Sequence, residues 1–477
     1  MLYTSTRGGV EPVGFAEAVM MGLGTDGGLL VPRLIPRVDP GGLREWSRLR
    51  FQDLAVEVMS PFVDDAVPRS DLVDLVNESY ASFSHPEVTP LVRVGNLRVL
   101  ELFHGPTAAF KDVALQFLGN LFEYLLARSG GRLNILGATS GDTGSAAIAG
   151  VRGKAHIHIF ILHPKGRVSP VQERQMTTVL DANVHNVAIR GTFDDGQRIV
   201  KALFNDLEFK RELHLGAVNS INWARILAQM VYYFYAWGRV ARGDAGRRVS
   251  FSVPTGNFGD VFAGYMAKRM GLPVDRLIIA TNRNDILTRL VRTGVYEAGE
   301  VYHTLSPAMD IQIASNFERY LYFLAGEDTA TVRDLLGQMR VTGRMALDDA
   351  LRARLAEDFD ARAVSDEETL EQIRETHARD GYVLCPHSAI GVRAAAGGTD
   401  TVCLATAHPA KFNEAVARAI GREVPPPPSL RGLMDRETRC AELEASPEAV
   451  RAHIRDTLAP GAGGSGVSGP AATHLPR

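Results

Sequence analysis

Cysteine is scarce in this chain, and that scarcity removes several possibilities at once. Three thiols, Cys385, Cys403 and Cys440, stand far apart among 477 residues, a spacing that suits neither a disulfide framework nor a zinc site. Idle thiols in a reducing compartment are expected instead. No uninterrupted apolar stretch approaches the roughly 20 residues that a bilayer span requires, so no membrane partner is expected. The first nine residues lack the charged-then-apolar layout of a secretion signal, and the expected location is cytoplasmic. Basic residues are not gathered: 52 lysines and arginines are interspersed with 55 acids, for a net charge of −3. Without a basic stripe, no nucleic-acid partner is expected. Histidine offers little for a metal. His156 and His158 share one face of a strand by alternation, but His163 falls on the other, unlike the ligand sets of real metal sites.

The length suits about three domains, and three stretches differ in texture. Residues 1–95 are expected to form a small, mostly helical N-terminal domain. Phe15–Gly22 reads as a short helix and Gly24–Gly28 as a turn before a strand at Leu29–Val31. Leu54–Phe62 and Leu72–Phe83 carry apolar residues at helical spacing, punctuated by Pro61, Pro68 and Pro86. From 96 to 424 strands and helices alternate. Strands are expected at Leu133–Leu136, His156–Leu162, Val184–Ile189, Val249–Val253, Leu277–Ala280 and Thr401–Ala405. Helices are expected at Ser145–Val151, Phe193–Phe204, Ile221–Trp237 and Val261–Met270. This is an α/β pattern of parallel sheets covered by helices, a layout that holds ligands beyond the carboxyl ends of its strands. Residues 425–477 open on the linker-like Pro425–Pro428. A short helix at Pro447–Leu458 and a Gly-, Ser- and Pro-rich tail, expected to be disordered, follow.

Chemistry concentrates in the loops after the strands. Lys111 closes His104-Gly-Pro-Thr-Ala-Ala-Phe-Lys-Asp112, directly before an apolar helical run. Behind an aromatic and at the mouth of a helix, its amine could be desolvated and freed for a Schiff base; a solvated first-turn lysine is the plain alternative. Gly137-Ala-Thr-Ser-Gly-Asp-Thr-Gly144 follows a strand and opens a helix. Small residues there let N–H groups converge on an anion at the positive helix end, although Ser, Thr and Asp also serve simply as helix caps. Pro254-Thr-Gly-Asn-Phe-Gly-Asp260 repeats the layout. It is neither a dinucleotide fingerprint nor a Walker loop, yet it could wrap one phosphate, provided that the Asp260 carboxylate turns away to cap the helix. Asn219-Ser-Ile-Asn-Trp-Ala-Arg225 offers amides and a guanidinium for a second anion, or merely caps a helix. In Thr406-Ala-His-Pro-Ala-Lys-Phe412, Lys411 is the rival Schiff-base candidate, and His408 is expected to fix the turn.

One reactive lysine and two anion cradles suit pyridoxal 5′-phosphate with an amino-acid substrate. The stretches Tyr3–Gly8, Gly22–Gly28, Glu101–Asp112, Ala138–Gly144, Asn219–Asn222, Ser252–Asp260 and Ala405–Phe412 resemble, in order, those of the threonine synthases. These belong to the tryptophan-synthase-β-like family of pyridoxal-phosphate enzymes, and the resemblance is to the microbial and fungal branch with an extra N-terminal domain. It implies two parallel-sheet α/β subdomains in the catalytic core. It implies Lys111 as the residue that holds the cofactor and shuttles protons. Gly256, Asn257, Phe258, Gly259 and Asp260 would bind the cofactor phosphate, Thr406 would face the ring nitrogen and Asp142 would lie near the phenolic oxygen. Thr139, Ser140, Gly141 and Thr143 would hold the substrate carboxylate, with Asn219 and Arg225 at the substrate phosphate. The implied reaction is O-phospho-L-homoserine plus water to L-threonine and phosphate by β,γ-elimination and replacement, in a monomer or homodimer. The alternatives are a threonine-synthase-like phospholyase or a serine/threonine dehydratase releasing 2-oxobutanoate, and a non-catalytic binder of phosphorylated metabolites. Cys385, in Leu384-Cys-Pro-His-Ser388, stands where relatives usually carry an acid, so no electrostatic role is carried over to it.

Overall fold

The structure, a computed structural model, describes residues 1–63, 66–395 and 400–459. Two sheets dominate it. One has five parallel strands in the order Ala441–Glu444, Val184–Arg190, Ile157–Pro164, Leu133–Ala138 and Leu215–Gly216. The other has six, in the order Phe359–Ala363, Val274–Thr281, Val249–Pro254, Thr401–Ala405, Leu97–Glu101 and Leu91–Val94, parallel except for the last. Central strands such as Ile157–Pro164 are buried on both faces, which is why they read as continuous apolar runs and not as alternation. The expected two-subdomain α/β core is therefore present.

Residues before the first core strand form a small unit. Helices Phe15–Met21, Pro40–Trp46, Phe51–Val63 and Arg69–Tyr80 accompany a three-stranded antiparallel sheet of Leu2–Ser5, Val13–Gly14 and Leu30–Pro32. Arg7 fastens this unit to the core. Its Nε and Nη2 donate to Glu318 at 2.9 and 2.8 Å, and the Thr6 hydroxyl donates to the same carboxylate at 2.6 Å. A fork-on-fork pair of this kind fixes orientation as well as distance.

Helix Trp223–Ala241 is buried almost all round and packs against Phe51–Val63, Lys111–Ser129 and Gly259–Arg269. It is core, and its unbroken apolar and aromatic composition is what such a position demands. Helix Lys111–Ser129 approaches helix Asp142–Val151 closely because both carry glycine at the crossing. A Cβ on Gly119 would lie 2.0 Å from the Gly150 carbonyl oxygen, and one on Gly150 would lie 2.3 Å from that of Leu115. That contact draws the Lys111 loop toward the Gly137–Gly144 loop.

Two features of the C-terminal stretch differ in kind. The helix expected at Pro447–Leu458 forms over those residues, whereas the strand Ala441–Glu444, an unforeseen element, extends the five-stranded sheet. Alternating glutamates and its edge position hide it from a hydrophobicity reading. The tail expected to be disordered lies, beyond Ala459, outside the described residues. Among the described residues, no helix is long and apolar enough to cross a membrane.

Candidate active site

Lys111 is the first residue of its helix, and no side chain caps that helix start. The preceding loop is closed by Asp112, which is buried and accepts from the Thr107 N–H at 2.8 Å and from the Thr107 hydroxyl at 2.7 Å. A Cβ on Gly105 would strike that carboxylate side chain at 2.4 Å, so the turn needs glycine there. Ala108 adopts a left-handed φ of +56°, a strained conformation for a residue with a Cβ.

Lys111 itself is half-buried. Burial draws its amine down to about 8 from the ordinary 10.5. Asp142 resists that fall, Lys411 and Arg225 add to it, and Asp112 opposes it. An amine tuned this far yields a much larger nucleophilic fraction near neutral pH than a surface lysine does. Lys411 takes a different part. Its side chain is fully buried, and its ammonium lies 2.8 Å from Asp142 Oδ1 and 2.8 Å from the Thr107 carbonyl oxygen. That nitrogen is committed to an ion pair, and no such pair holds the Lys111 amine among the described residues. For Asp142, burial acts to raise the proton affinity, but Lys411 and Lys111 outweigh it. Hydrogen bonds from Lys411 and Gln172 help to hold the carboxyl well below the usual range.

The loop after Leu133–Ala138 is held by its own side chains. Thr139 is buried, and its hydroxyl accepts from the N–H groups of Gly141 at 3.0 Å and Gly144 at 2.9 Å. Gly141 has φ +143°, and a Cβ there would meet Gln172 at 2.4 Å. Two of the converging N–H groups are thus taken internally. Ser140 is exposed and Thr143 half-buried.

In the loop after Val249–Pro254, Phe258 carries a left-handed φ of +66°. Its buried ring packs edge-on against Phe317 and Phe359, at 5.5 Å from each. Packing compensates for the strain, which costs on the order of 1–3 kcal/mol. A Cβ on Gly256 would lie 2.7 Å from the Ala308 carbonyl oxygen, so a neighbouring loop presses directly on this turn. Gly259 and Asp260 begin the following helix, where N–H groups have no intrahelical partner. The Asp260 carboxylate does turn away, but not to cap. It accepts from the hydroxyls of Tyr232 at 2.6 Å and Tyr233 at 2.9 Å, and burial raises it to about 6. The physical reason is the length of helix Trp223–Ala241, which brings two tyrosines beneath the turn. The result is a glycine-lined cradle of free N–H groups with its one acid withdrawn, which fits a phosphate.

Arg225 is the third residue of that long helix. It is buried, its Nε and Nη1 have no hydrogen-bond partner among the described residues, and burial draws it from 12.5 down to about 10. A dry guanidinium with unused donors is a site for an oxyanion. The amides nearby have partners of their own. Asn222 caps the helix and donates to the Val19 carbonyl at 2.8 Å, while Asn219 accepts from the Ile221 N–H at 3.2 Å.

Thr406 is buried beside the Lys111 loop. The Phe110 N–H donates to its carbonyl oxygen at 2.8 Å, and Ala109 and Ala407 form a β-bridge. His408 fixes the turn, as expected: its Nδ1 accepts from the Ala410 N–H at 3.2 Å. Four residues of this region carry no sequence signal. Gln172 holds Asp142, and Ser388 accepts from the Thr406 N–H at 3.1 Å. Asn316 donates to the Ser220 and Asn257 carbonyls at 3.0 and 3.3 Å, joining the two phosphate-type loops. His387 is buried and accepts from the Ala308 N–H at 3.3 Å. Among the described residues its Nδ1 has no partner, and burial draws the ring down to about 4. None of these four could be found without knowing which loops meet.

Comparisons with known proteins agree along the chain. A family model described as threonine synthase N terminus matches residues 2–80, one described as pyridoxal-phosphate dependent enzyme matches 83–406, and one described as threonine synthase, C-terminal, matches 388–454. The chain is 49% identical to a threonine synthase of Pseudomonas aeruginosa, across 95% of this chain and 98% of that protein. It is 49% identical to the Saccharomyces cerevisiae threonine synthase across 88% and 89%. The crystal structure of a PLP-bound threonine synthase from Brucella melitensis superposes with a TM-score of 0.93 at 48% identity, covering 96% of this chain and 99% of that one.

Proposed function

Since the chain belongs to the threonine synthase family of pyridoxal-phosphate-dependent enzymes, we propose that it converts O-phospho-L-homoserine and water to L-threonine and phosphate. It is a lyase, and its cofactor is pyridoxal 5′-phosphate. The observation that carries the choice of substrate is Arg225, a buried guanidinium with unused donors within electrostatic reach of Lys111. A site built for an amino acid without a second anion has no use for it.

Lys111 would hold the cofactor covalently, the N–H groups of Gly256, Asn257, Phe258, Gly259 and Asp260 its phosphate, and Thr406 its ring nitrogen, with Asp142 near its phenolic oxygen. When bound, the cofactor supplies a conjugated ring that delocalises the electron pair left on the substrate Cα. Once the substrate amine had displaced it from the cofactor, Lys111 Nζ would take the Cα proton, a task suited to an amine that burial has lowered to about 8. Thr406 offers a neutral hydroxyl where a carboxylate would hold a proton on the ring, which moderates the electron demand. Thr139, Ser140, Gly141 and Thr143 orient the substrate carboxylate, and Asn219 and Arg225 orient the leaving phosphate. We also assign residues 1–95 to an N-terminal domain, 96–424 to the catalytic core and 425–477 to a C-terminal extension, in a monomer or homodimer of the cytoplasm.

The test is the product. Incubation of the cofactor-loaded protein with O-phospho-L-homoserine should release threonine and inorganic phosphate in equal amounts. Release of 2-oxobutanoate would favour the phospholyase or dehydratase reading, and absence of turnover would favour a binding protein. Borohydride reduction should fix the cofactor on Lys111, and Lys111→Ala should abolish that attachment.

A further inference from the structure

Lys411 is not used by the reaction outlined above, yet it is the most completely buried cation near Lys111. It follows the strand Thr401–Ala405 of the six-stranded sheet, whereas Asp142 opens a helix after a strand of the five-stranded sheet. The 2.8 Å ion pair between them therefore crosses from one subdomain to the other. The same ammonium donates to the Thr107 carbonyl in the Lys111 loop at 2.8 Å. Both acceptors are shared with one helix of the five-stranded subdomain, Pro170–Thr177: Gln172 donates to Asp142 Oδ1 and Gln175 to the Thr107 oxygen, at 2.8 and 2.9 Å.

We propose that Lys411 is a positioning residue that clasps the Lys111 loop to the Asp142 loop and neutralises Asp142, so that Asp142 does not trap a proton on Lys111. The inference rests on Lys111 being the amine that holds the cofactor. An anion beside an amine favours its ammonium form. Unpaired, Asp142 would pull Lys111 back toward the protonated state that cannot react. The ammonium of Lys411 cancels that field and also repels a charge on Lys111. The charged and titratable groups around the pair are Asp112, Arg225, His387 and His408, besides Lys111 itself.

The test reads Lys111 directly, in the full-length protein before cofactor is added. Competitive acetylation across pH, with mass spectrometry of the Lys111 peptide, gives the midpoint at which its amine becomes reactive. Lys411→Met should move that midpoint up and Asp142→Asn should move it down, each on the order of one pH unit. The double variant, which replaces both charges by neutral groups, should return it close to wild type. A merely structural clasp predicts otherwise, because water entering a loosened site would raise the midpoint in every variant. Equal upward shifts, or no shift, overturn the proposal. Should Lys411→Met not fold, judged by circular dichroism, Asp142→Asn and the double variant decide by the same signs. The borohydride label keeps the two readings apart. A label on Lys411 defeats the assignment of Lys111, whereas a label on Lys111 with unmoved midpoints defeats only the role of Lys411.

Discussion

Arg225 should weaken the ligand-free protein that it serves. Burial draws its guanidinium from 12.5 to about 10, and at about 1.4 kcal/mol per tenfold this is about 3 kcal/mol of uncompensated desolvation. Two of its nitrogens have no hydrogen-bond partner among the described residues, so little is recovered through hydrogen bonds. Arg225→Met keeps the unbranched stem that packs in helix Trp223–Ala241 and removes the charge. The variant should therefore be more stable than wild type without ligand, by about 1–3 kcal/mol once imperfect packing is allowed for. Urea unfolding followed by circular dichroism measures this. The second arm adds inorganic phosphate to the cofactor-loaded proteins, whose Gly256–Asp260 cradle the cofactor then already fills. A ligand at a hundredfold excess over its Kd should stabilise wild type by about 2.7 kcal/mol and leave Arg225→Met unmoved. A variant less stable than wild type, or one still protected by phosphate to the same degree, would refute the view that Arg225 is an idle charge awaiting an anion.

Other consequences are as open to test. Cofactor uptake by the ligand-free protein should accelerate as pH rises through about 8, where Lys111 loses its proton; stopped-flow absorbance follows this, and a rate flat from pH 7 to 9 would contradict it. Asp260 is raised to about 6 from 3.8, so the folded state binds its proton more tightly than the unfolded chain does. Its contribution to stability is present at low pH and lost as pH rises through about 6. Asp260→Asn should gain on wild type between pH 4.5 and 7 by up to about 3 kcal/mol in urea midpoints. Phe258→Ala removes a buried ring from an aromatic cluster and should cost about 3–5 kcal/mol, with weaker cofactor retention on dialysis. Gly141→Ala places a methyl group 2.4 Å from Gln172. It should displace the amide that holds Asp142 and lower kcat at least about tenfold while circular dichroism stays unchanged.

Much of this protein was legible from order alone. Parallel strands buried on both faces must be apolar throughout, so Leu133–Ala138, Ile157–Pro164 and Thr401–Ala405 announced themselves. The loops after them carried glycines and hydroxyls that only close backbone approach explains. Resemblance over nearly all of residues 1–420 then gave the family. Elements with weak or polar patterning were missed. The strand Ala441–Glu444 alternates glutamate with small or single apolar residues and forms only because Val184–Arg190 offers an edge.

The local sequence determined that Lys111 would stand at a helix mouth, because that depends on residues a few positions away. It ranked Lys111 above Lys411 by context, but could not show what either amine meets in space. That belongs to the fold, which sets Asp142 against Lys411 from 269 positions away. It also turns the Asp260 carboxylate to two tyrosines and leaves two guanidinium nitrogens of Arg225 without a partner among the described residues. Proton affinities answer to burial and to charges across a few ångströms of space, and neither is a property of neighbours along the chain.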